Sequence, residues 1–335
     1  MKENLKKRFY FKVVASWAAA LALIFAVTLL PVKAEAGMKS PPPEKIKTII
    51  IGDRVVDIAF NLGVIPEAMS VRGSLWPMAK RLKTASQMLG CPRCVSIKKQ
   101  VVPNACKKMG ISRIIVEKSD PFCLYMPKVK PENIVPIMEK QGVKIEFVDF
   151  SAGLEQAVLK VGRLVGREAK AEVVIERYKK DLAAAKTKLP ARKLGNKVII
   201  LSGTYQPSTG KCLLRVEAPG GYSDRFLLGP LGCVNVGDCF MPAGGKTEKG
   251  HYLVRKTRKG MDLAPIIKAN PDVIVMTGDA FAVQKTIRTY SKEHPEIMKV
   301  KAVKEMALYN LPFYADSGVL EYPVVLLKWI KAFAG

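Results

Sequence analysis

Histidine is nearly absent from this sequence of 335 residues, in which only His251 and His294 occur. A histidine-rich site for a bare zinc or manganese ion is therefore excluded, because such sites use several imidazole ligands. Both histidines fall in segments predicted as loops, where we expect them to face solvent.

Acidic residues are scarce: 29 Asp and Glu stand against 55 Lys and Arg, which gives a formal net charge of +26. A surplus of this size favours anionic partners, although a solvated basic surface is the simpler interpretation. The basic residues are spread out, and no stripe interleaves them with aromatic residues as in single-strand nucleic-acid binders. We therefore expect no nucleic-acid partner.

Long apolar runs are absent after residue 32, and the one before it marks the N-terminus. Five basic residues precede an apolar segment at 13–32, and Ala34 and Ala36 then occupy the small-residue positions of a cleavage site. This is the pattern of a secretory signal peptide. An uncleaved membrane anchor is the alternative, since about 20 apolar residues can span a bilayer. We predict cleavage after Ala36 and a periplasmic mature protein.

Short apolar runs alternate with helical segments over the rest of the chain, which predicts two α/β lobes with parallel sheets. Strands are predicted at 47–53, 113–120, 144–150, 196–203, 271–278 and 307–312, and helices at 54–63, 131–142, 258–270 and 324–334. A longer helix over about 167–188 would reach roughly 33 Å and connect the lobes. The predicted division is 1–36 signal peptide, 37–46 flexible lead-in, 47–165 first lobe, 166–189 linker helix and 190–335 second lobe.

Five segments in order resemble one known family: 57–73, 103–116, 166–189, 266–278 and 300–312. They are similar to the helix-linked (class III) periplasmic substrate-binding proteins of ABC importers, of the iron-siderophore and cobalamin type. The resemblance implies two Rossmann-like lobes with parallel sheets, one long linker helix and a ligand cleft between the lobes. It also implies a monomeric binding protein that is not an enzyme and that delivers its ligand to a permease in the inner membrane.

Two positions that contact the permease depart from the family pattern. The resemblance implies an acidic residue at each of them, which would contact an arginine of the permease. This sequence has Cys106 at the first position and Ala264 near the second, with Asp262 and Glu117 as candidate stand-ins. Docking on the permease is therefore expected to be altered.

The predicted cleft is rich in aromatic and basic side chains. In open α/β sheets, ligands bind beyond the carboxyl ends of the strands. The loops at those ends contribute the predicted ligand-binding residues Arg72, Trp76, Tyr125, Tyr205, Lys211, Phe240, Phe281 and Phe313. Such a cleft suits a ferric siderophore, a haem or a corrinoid. Each of these ligands carries its own iron or cobalt, so we expect the protein to require no cofactor. For any single aromatic residue, core packing is the alternative.

Seven cysteines occur in the chain, and exported proteins usually pair them as disulfides. Cys91 with Cys94 and Cys233 with Cys239 are the local disulfide candidates, whereas Cys123 and Cys212 fall in predicted cleft loops and are candidate soft-metal ligands. The Cys91-Pro-Arg-Cys94 motif is open to three interpretations: a structural disulfide, a soft-metal or iron ligand, and a redox site. It follows Gly90 in a predicted loop, whereas a thioredoxin-like pair would begin a helix. Two rival functions stay open: soft-metal trafficking on the same fold, and periplasmic thiol oxidoreduction.

Overall fold

The computed structural model describes residues 42–72, 76–119, 130–245, 250–258, 260–313 and 318–334. The predicted signal peptide at 1–36 lies outside these residues, as do Cys123 and Tyr125 of the predicted cleft. Within the described ranges, no helix has both the length and the apolar character needed to cross a membrane.

The first lobe is built on a parallel sheet with the strand order β3-β2-β1-β4-β5. Its central strand β1 carries the run Ile49, Ile50 and Ile51, which is completely buried. Burial on both faces is expected for a parallel sheet covered by helices on each side. The strands are β1 (Glu44–Ile51), β2 (Val64–Ser70), β3 (Gln87–Met88), β4 (Arg113–Lys118) and β5 (Lys144–Asp149).

Helices cover both faces of this sheet, as the alternating pattern predicts. They are α1 (Asp53–Asn61), α2 (Pro77–Leu82), α3 (Pro92–Ile97), α4 (Val101–Met109), α5 (Val135–Glu139) and α6 (Leu154–Val165). The sheet begins at Glu44, inside the segment predicted as a flexible lead-in, because residues 44–46 pair with β2.

The second lobe has a mixed sheet with the order β13-β12-β6-β7-β9, and β8 pairs with β6. Its strands are β6 (Lys197–Gln206), β7 (Lys211–Glu217), β8 (Val234–Asn235), β9 (His251–Leu253), β12 (Val273–Gly278) and β13 (Leu308–Asn310). The strands predicted from the sequence, β6, β12 and β13, are parallel to one another as expected. The sheet is mixed, however, because β6 and β7 form an antiparallel pair and β9 is antiparallel to β7. A connection of four residues, 207–210, can only return the chain antiparallel, since a parallel crossover needs a dozen or more.

The remaining elements of the second lobe are short strands and helices. A small antiparallel pair is formed by β10 (Lys256–Thr257) and β11 (Gly260–Met261). It replaces the start of the helix predicted at 258–270, which begins only at Ala264. The helices are α8 (Gly229–Leu231), α9 (Ala264–Ala269), α10 (Ala280–Ser291), α11 (Lys301–Lys304) and α12 (Tyr322–Ala334).

One long helix, α7 (Glu168–Lys186), lies between the two sheets in sequence. It matches the predicted helix at 167–188 and packs against α6 and α12. The chain also joins the lobes near its end, where Val319 and Leu320 pack against the apolar core of the first lobe. There the backbone N–H of Leu320 donates to the carboxylate of Asp57 on α1 at 3.2 Å. The predicted architecture of two α/β lobes is therefore confirmed.

Candidate ligand-binding site

The carboxyl ends of β1 and β2 carry an ion pair between Asp53 and Arg72. The Arg72 guanidinium contacts the Asp53 carboxylate, and the Arg72 backbone N–H donates to the same carboxylate at 2.8 Å. Both side chains are nearly buried, with 7% and 11% of their surface exposed. Because Asp53 balances its charge, Arg72 is a weaker attractor for an anionic ligand than its predicted role implies.

Glu117, at the end of β4, forms a second buried group beside this ion pair. It accepts hydrogen bonds from the Arg54 backbone N–H at 2.9 Å and from the Ser119 hydroxyl at 2.6 Å. Burial raises the pKa of Glu117, and the nearby charge of Arg54 opposes that rise. Gly52 allows this approach: it has φ +124°, and a Cβ there would lie 2.2 Å from the Cβ of Glu117. With 2% of its surface exposed, Glu117 is not placed to dock on a permease.

Trp76 lies in the core of the first lobe. Its side chain is 1% exposed and packs among apolar residues of the largest first-lobe cluster. The short helix α2 begins directly after it. The ring therefore offers no surface to a ligand in this structure, which corresponds to the core-packing alternative. Tyr125, the other first-lobe aromatic residue predicted for the cleft, lies outside the described residues.

The second lobe brings several predicted site residues together on the β6–β7 hairpin and on α10. Tyr205 and Phe281 make an edge-to-face contact with ring centroids 4.9 Å apart. The ammonium group of Lys285 lies 4.9 Å from the Tyr205 ring centroid and 5.8 Å from that of Phe281. Phe281 is 52% exposed, so this aromatic pair presents apolar surface to solvent beside a positive charge.

A pocket of about 510 Å³ adjoins the aromatic pair, a size within the usual range for small-molecule sites. Its cationic lining residues are Lys211, Lys256, Arg258 and Lys285. None of the described lining residues is acidic. The Lys285 ammonium donates a hydrogen bond to the Gly210 carbonyl at 3.3 Å. The arrangement can hold an anion next to a flat apolar surface. We call these four cations and the Tyr205–Phe281 pair the basic-aromatic site.

Cys212 lines the same pocket, and it is the register partner of Tyr205 across the hairpin. Its proposed co-ligand Cys123 lies outside the described residues. Within the described part of the chain, no group of three or more His, Cys, Asp or Glu side chains could hold a metal ion.

Phe240 and Phe313 lie apart from the basic-aromatic site. Phe240 packs, half-buried, against the second-lobe core. Phe313 is 5% exposed and meets the ring of His251 edge-to-face at 5.8 Å. His251 is itself 7% exposed on β9, so the expectation of a solvent-facing His251 is wrong. His294 is exposed as predicted, and it stacks on Tyr290.

The cysteines of the disulfide candidates differ in their surroundings. The Cys91 and Cys94 sulfurs lie 3.1 Å apart as thiols. Cys233 and Cys239 pack against the cores on opposite faces of the second sheet, a placement that does not favour a bond between them. The disulfide pairings stay predictions. Cys106 is buried in the first lobe at 4% exposure, so its side chain is not available at the expected docking position.

Several residues of the two sites went unrecognised in the sequence. Asp53 and Arg54 begin α1, one residue after the end of β1, so the rule of carboxyl ends could have identified them. Lys285 lies one helical turn after Phe281, a spacing that places both side chains on one face of α10. Lys256 and Arg258 lie at the small antiparallel pair of β10 and β11. The sequence predicted a helix from residue 258 onward and gave no sign of this pair.

Comparisons with known proteins identify the fold. No protein-family model matches the chain, and no curated protein matches its sequence. Among solved structures, the chain is similar to the periplasmic heme-binding protein RhuT from Roseiflexus sp. RS-1 in its apo form, with a TM-score of 0.59, 14% identity, and coverage of 87% of this chain and 98% of that one. It is also similar to the periplasmic heme-binding protein BhuT in complex with two hemes, with a TM-score of 0.57, 13% identity, and coverage of 87% and 98%.

A third similar structure is the triscatecholate siderophore-binding protein FeuA from Bacillus subtilis, complexed with ferri-bacillibactin. The TM-score is 0.53 and the identity 20%, and the match covers 88% of this chain and 93% of that one. At these identities the comparisons establish the fold alone. The chain therefore has the two-lobed fold of periplasmic substrate-binding proteins, as its resemblance to them implied.

Proposed function

We propose that this protein is the periplasmic solute-binding component of an ABC importer, and that it captures a large anionic chelate, a haem, a ferric siderophore or a corrinoid. The observation that carries this proposal is the basic-aromatic site of the second lobe. The fold supports it, because RhuT and BhuT are described as heme-binding and FeuA as siderophore-binding.

The aromatic pair would supply apolar contact to the ligand. Phe281 is half-exposed and Tyr205 holds it edge-on, so a flat ligand can cover the Phe281 face without reorganising the core. Covering a ring of this size is worth on the order of 1.5–3 kcal/mol, which corresponds to about 10- to 150-fold in affinity.

The four cations would supply charge selection. Carboxylates of a haem, catecholate oxygens of a siderophore or the phosphate of a corrinoid would each meet positive side chains that line the pocket. Because these side chains are near the surface, their attraction is screened by salt over roughly 10 Å at 0.1 M ionic strength. Binding is therefore expected to weaken as salt rises.

Delivery of the chelate to an inner-membrane permease completes the proposal, and it rests on the resemblance. Glu117 is buried and Cys106 is covered, so neither can contact the permease. Asp262 is 19% exposed and holds the Arg255 guanidinium at 2.7 Å. The docking surface is therefore expected to differ from the acidic pair of the family.

The test is a titration of the purified mature protein with haem, cyanocobalamin and a ferric tricatecholate, followed by absorption and tryptophan fluorescence. Phe281→Ala and Tyr205→Ala should each lower the affinity for the chelate that binds by about tenfold or more, with little change in the urea midpoint of unfolding. Tyr309→Ala is the matched control, because Tyr309 packs on Phe333 at the far edge of the sheet.

Lys285→Gln and Lys256→Gln should weaken binding more at 20 mM than at 500 mM salt, whereas Lys179→Gln on the exposed face of α7 should not. If none of these four site variants alters the affinity for any of the three chelates, the proposal is wrong. If Cys212→Ser alone abolishes binding of a thiophilic metal ion, the soft-metal rival replaces it.

A further inference from the structure

The Cys91-Pro-Arg-Cys94 motif is not in the loop that its sequence suggested. Cys91 precedes the first residue of α3, and Pro92 occupies the first helical position. The turn brings the two sulfurs to 3.1 Å, and the Cys94 backbone N–H donates to the Cys91 sulfur at 3.4 Å. A disulfide has sulfurs about 2.05 Å apart. The two sulfurs therefore need to move only about 1 Å closer for the bond to form, which rotation of the side chains can provide.

The surroundings favour the thiolate form of Cys94. The hydrogen bond from the Cys91 thiol lowers the pKa of Cys94 most, and the charges of Lys98 and Arg93 lower it further. Cys94 is exposed and Cys91 is half-buried. Gly90 leaves room at the pair, since a Cβ there would lie 3.1 Å from the Cβ of Cys94.

Three other cysteines are unreactive by comparison. Burial raises the pKa of Cys106, of Cys233 and of Cys239 to about 11 each. At pH 7 such a thiol is ionised in roughly one molecule in 10,000, against a few in 100 for an ordinary thiol. These three thiols are therefore poor nucleophiles. Cys212 lines the pocket of the second lobe, and among the described residues Cys91 and Cys94 are the two cysteines whose sulfurs are in contact.

We propose that Cys91 and Cys94 form a redox-active dithiol that exchanges two electrons with an accessible disulfide, independently of the ligand site. In the first step the Cys94 thiolate attacks one sulfur of the partner disulfide, a Cys94–partner S–S bond forms, and the other partner sulfur leaves as a thiolate. In the second step Cys91 gives its proton to solvent and its sulfur attacks Cys94. The Cys91–Cys94 bond forms, and the second partner sulfur leaves as a thiolate.

Atoms and electrons balance in this exchange without any further reagent. Two protein thiols are oxidised to one disulfide, and one partner disulfide is reduced to two thiols. The reverse sequence lets the oxidised pair accept electrons from a dithiol. The surface around the pair is accessible to a partner, because Ile97 is 61% exposed on the same short helix.

The test uses the full-length mature protein in its reduced form, equilibrated with oxidised and reduced glutathione and, separately, with insulin as a protein disulfide. After acid quenching and alkylation, peptide mass spectrometry should show loss of two hydrogens from the peptide that contains Cys91 and Cys94. That change should reverse in dithiothreitol. Reaction with glutathione alone would identify a small-molecule partner, and reaction with insulin a protein partner.

Two variants separate a redox pair from a structural bridge. Cys91→Ser should trap a mixed disulfide on Cys94, whereas Cys233→Ser, the matched control, should exchange like the unmodified protein. Iodoacetamide should modify Cys94 at least about tenfold faster than Cys233 at pH 7, once the lower intrinsic nucleophilicity of a low-pKa thiolate is allowed for. The proposal is overturned if the pair stays reduced in oxidised glutathione, if its disulfide resists dithiothreitol in the folded protein, or if Cys91→Ser captures no adduct.

Discussion

Asp57 offers the sharpest test of how the two lobes are held together. Its side chain is 1% exposed on α1. It accepts hydrogen bonds from the Leu320 backbone N–H and, at 3.3 Å, from the Asn61 amide. Burial raises the pKa of Asp57 to about 7; the hydrogen bond from Leu320 opposes this rise, and the charges of Glu321 and Asp53 add to it. The carboxyl is therefore protonated in the folded protein at pH 5 but ionised in the unfolded chain.

The sign and size of the effect follow from proton binding. Between pH 4 and pH 7 the folded state binds the proton that the unfolded state releases, so the free energy of unfolding falls as pH rises. With an unfolded pKa near 4, raising the pH from 5 to 8 should remove about 2.5 kcal/mol of stability through Asp57 alone. Asp57→Asn keeps an oxygen to accept from Leu320 and removes this titration.

The assay is urea unfolding at pH 5.0, 6.5 and 8.0. Tryptophan fluorescence reports on both lobes, because Trp76 lies in the first core and Trp329 in the second. The loss of stability between pH 5 and pH 8 should be smaller in Asp57→Asn by about 2.5 kcal/mol. Asp149→Asn is the control: a hydrogen bond from Ser151 lowers the pKa of Asp149 to about 2, so its contribution is constant over this range. Equal slopes in the unmodified protein and Asp57→Asn would refute the reasoning, because Asp57 would then be ionised in the folded state at pH 5.

Three further predictions concern packing and export. Trp76→Ala should lower the free energy of unfolding by about 3–5 kcal/mol, measured by urea unfolding followed through Trp329; a ligand-binding loss without a stability loss would instead make Trp76 a wall of the cleft. Gly203→Ala should cost about 1–3 kcal/mol, since its Cβ would lie 2.3 Å from the Asp279 carbonyl oxygen, and an unchanged urea midpoint would contradict that clash. N-terminal sequencing of the exported protein should begin at Gly37, and membrane-bound protein that begins at Met1 would reject cleavage after Ala36.

The secondary structure of the two lobes was largely predictable, because it depends on local patterns. Buried strands such as β1 and β12 consist of apolar residues with few alternatives, and α7 combines helical spacing with strong helix formers. The order of these elements was also enough to identify the fold through its resemblance to substrate-binding proteins. The antiparallel β6–β7 pair was missed, although a connection of only four residues forces that direction.

The candidate site was predictable only as a set of loops. The carboxyl-end rule selected the segments that contain Tyr205, Lys211 and Phe281, and the structure places these near one another. It could not distinguish Phe281, which is exposed, from Trp76, which is buried, because the rule selects loops and does not say which way a side chain in a loop points. That difference depends on tertiary packing: the Trp76 ring belongs to the first-lobe core, whereas 52% of Phe281 stays exposed.

The sequence by itself determined most of the buried strands and the long helix, and how many basic residues and thiols are present, because these depend on residue type and spacing along the chain. Only the tertiary structure decided the charge state and reactivity of particular groups. Asp53 balances Arg72 from 19 positions away, and Leu320 reaches Asp57 from 263 positions away. The physical reason is that a pKa, a salt bridge or an accessible surface depends on distances of a few ångströms between groups that are far apart in the chain.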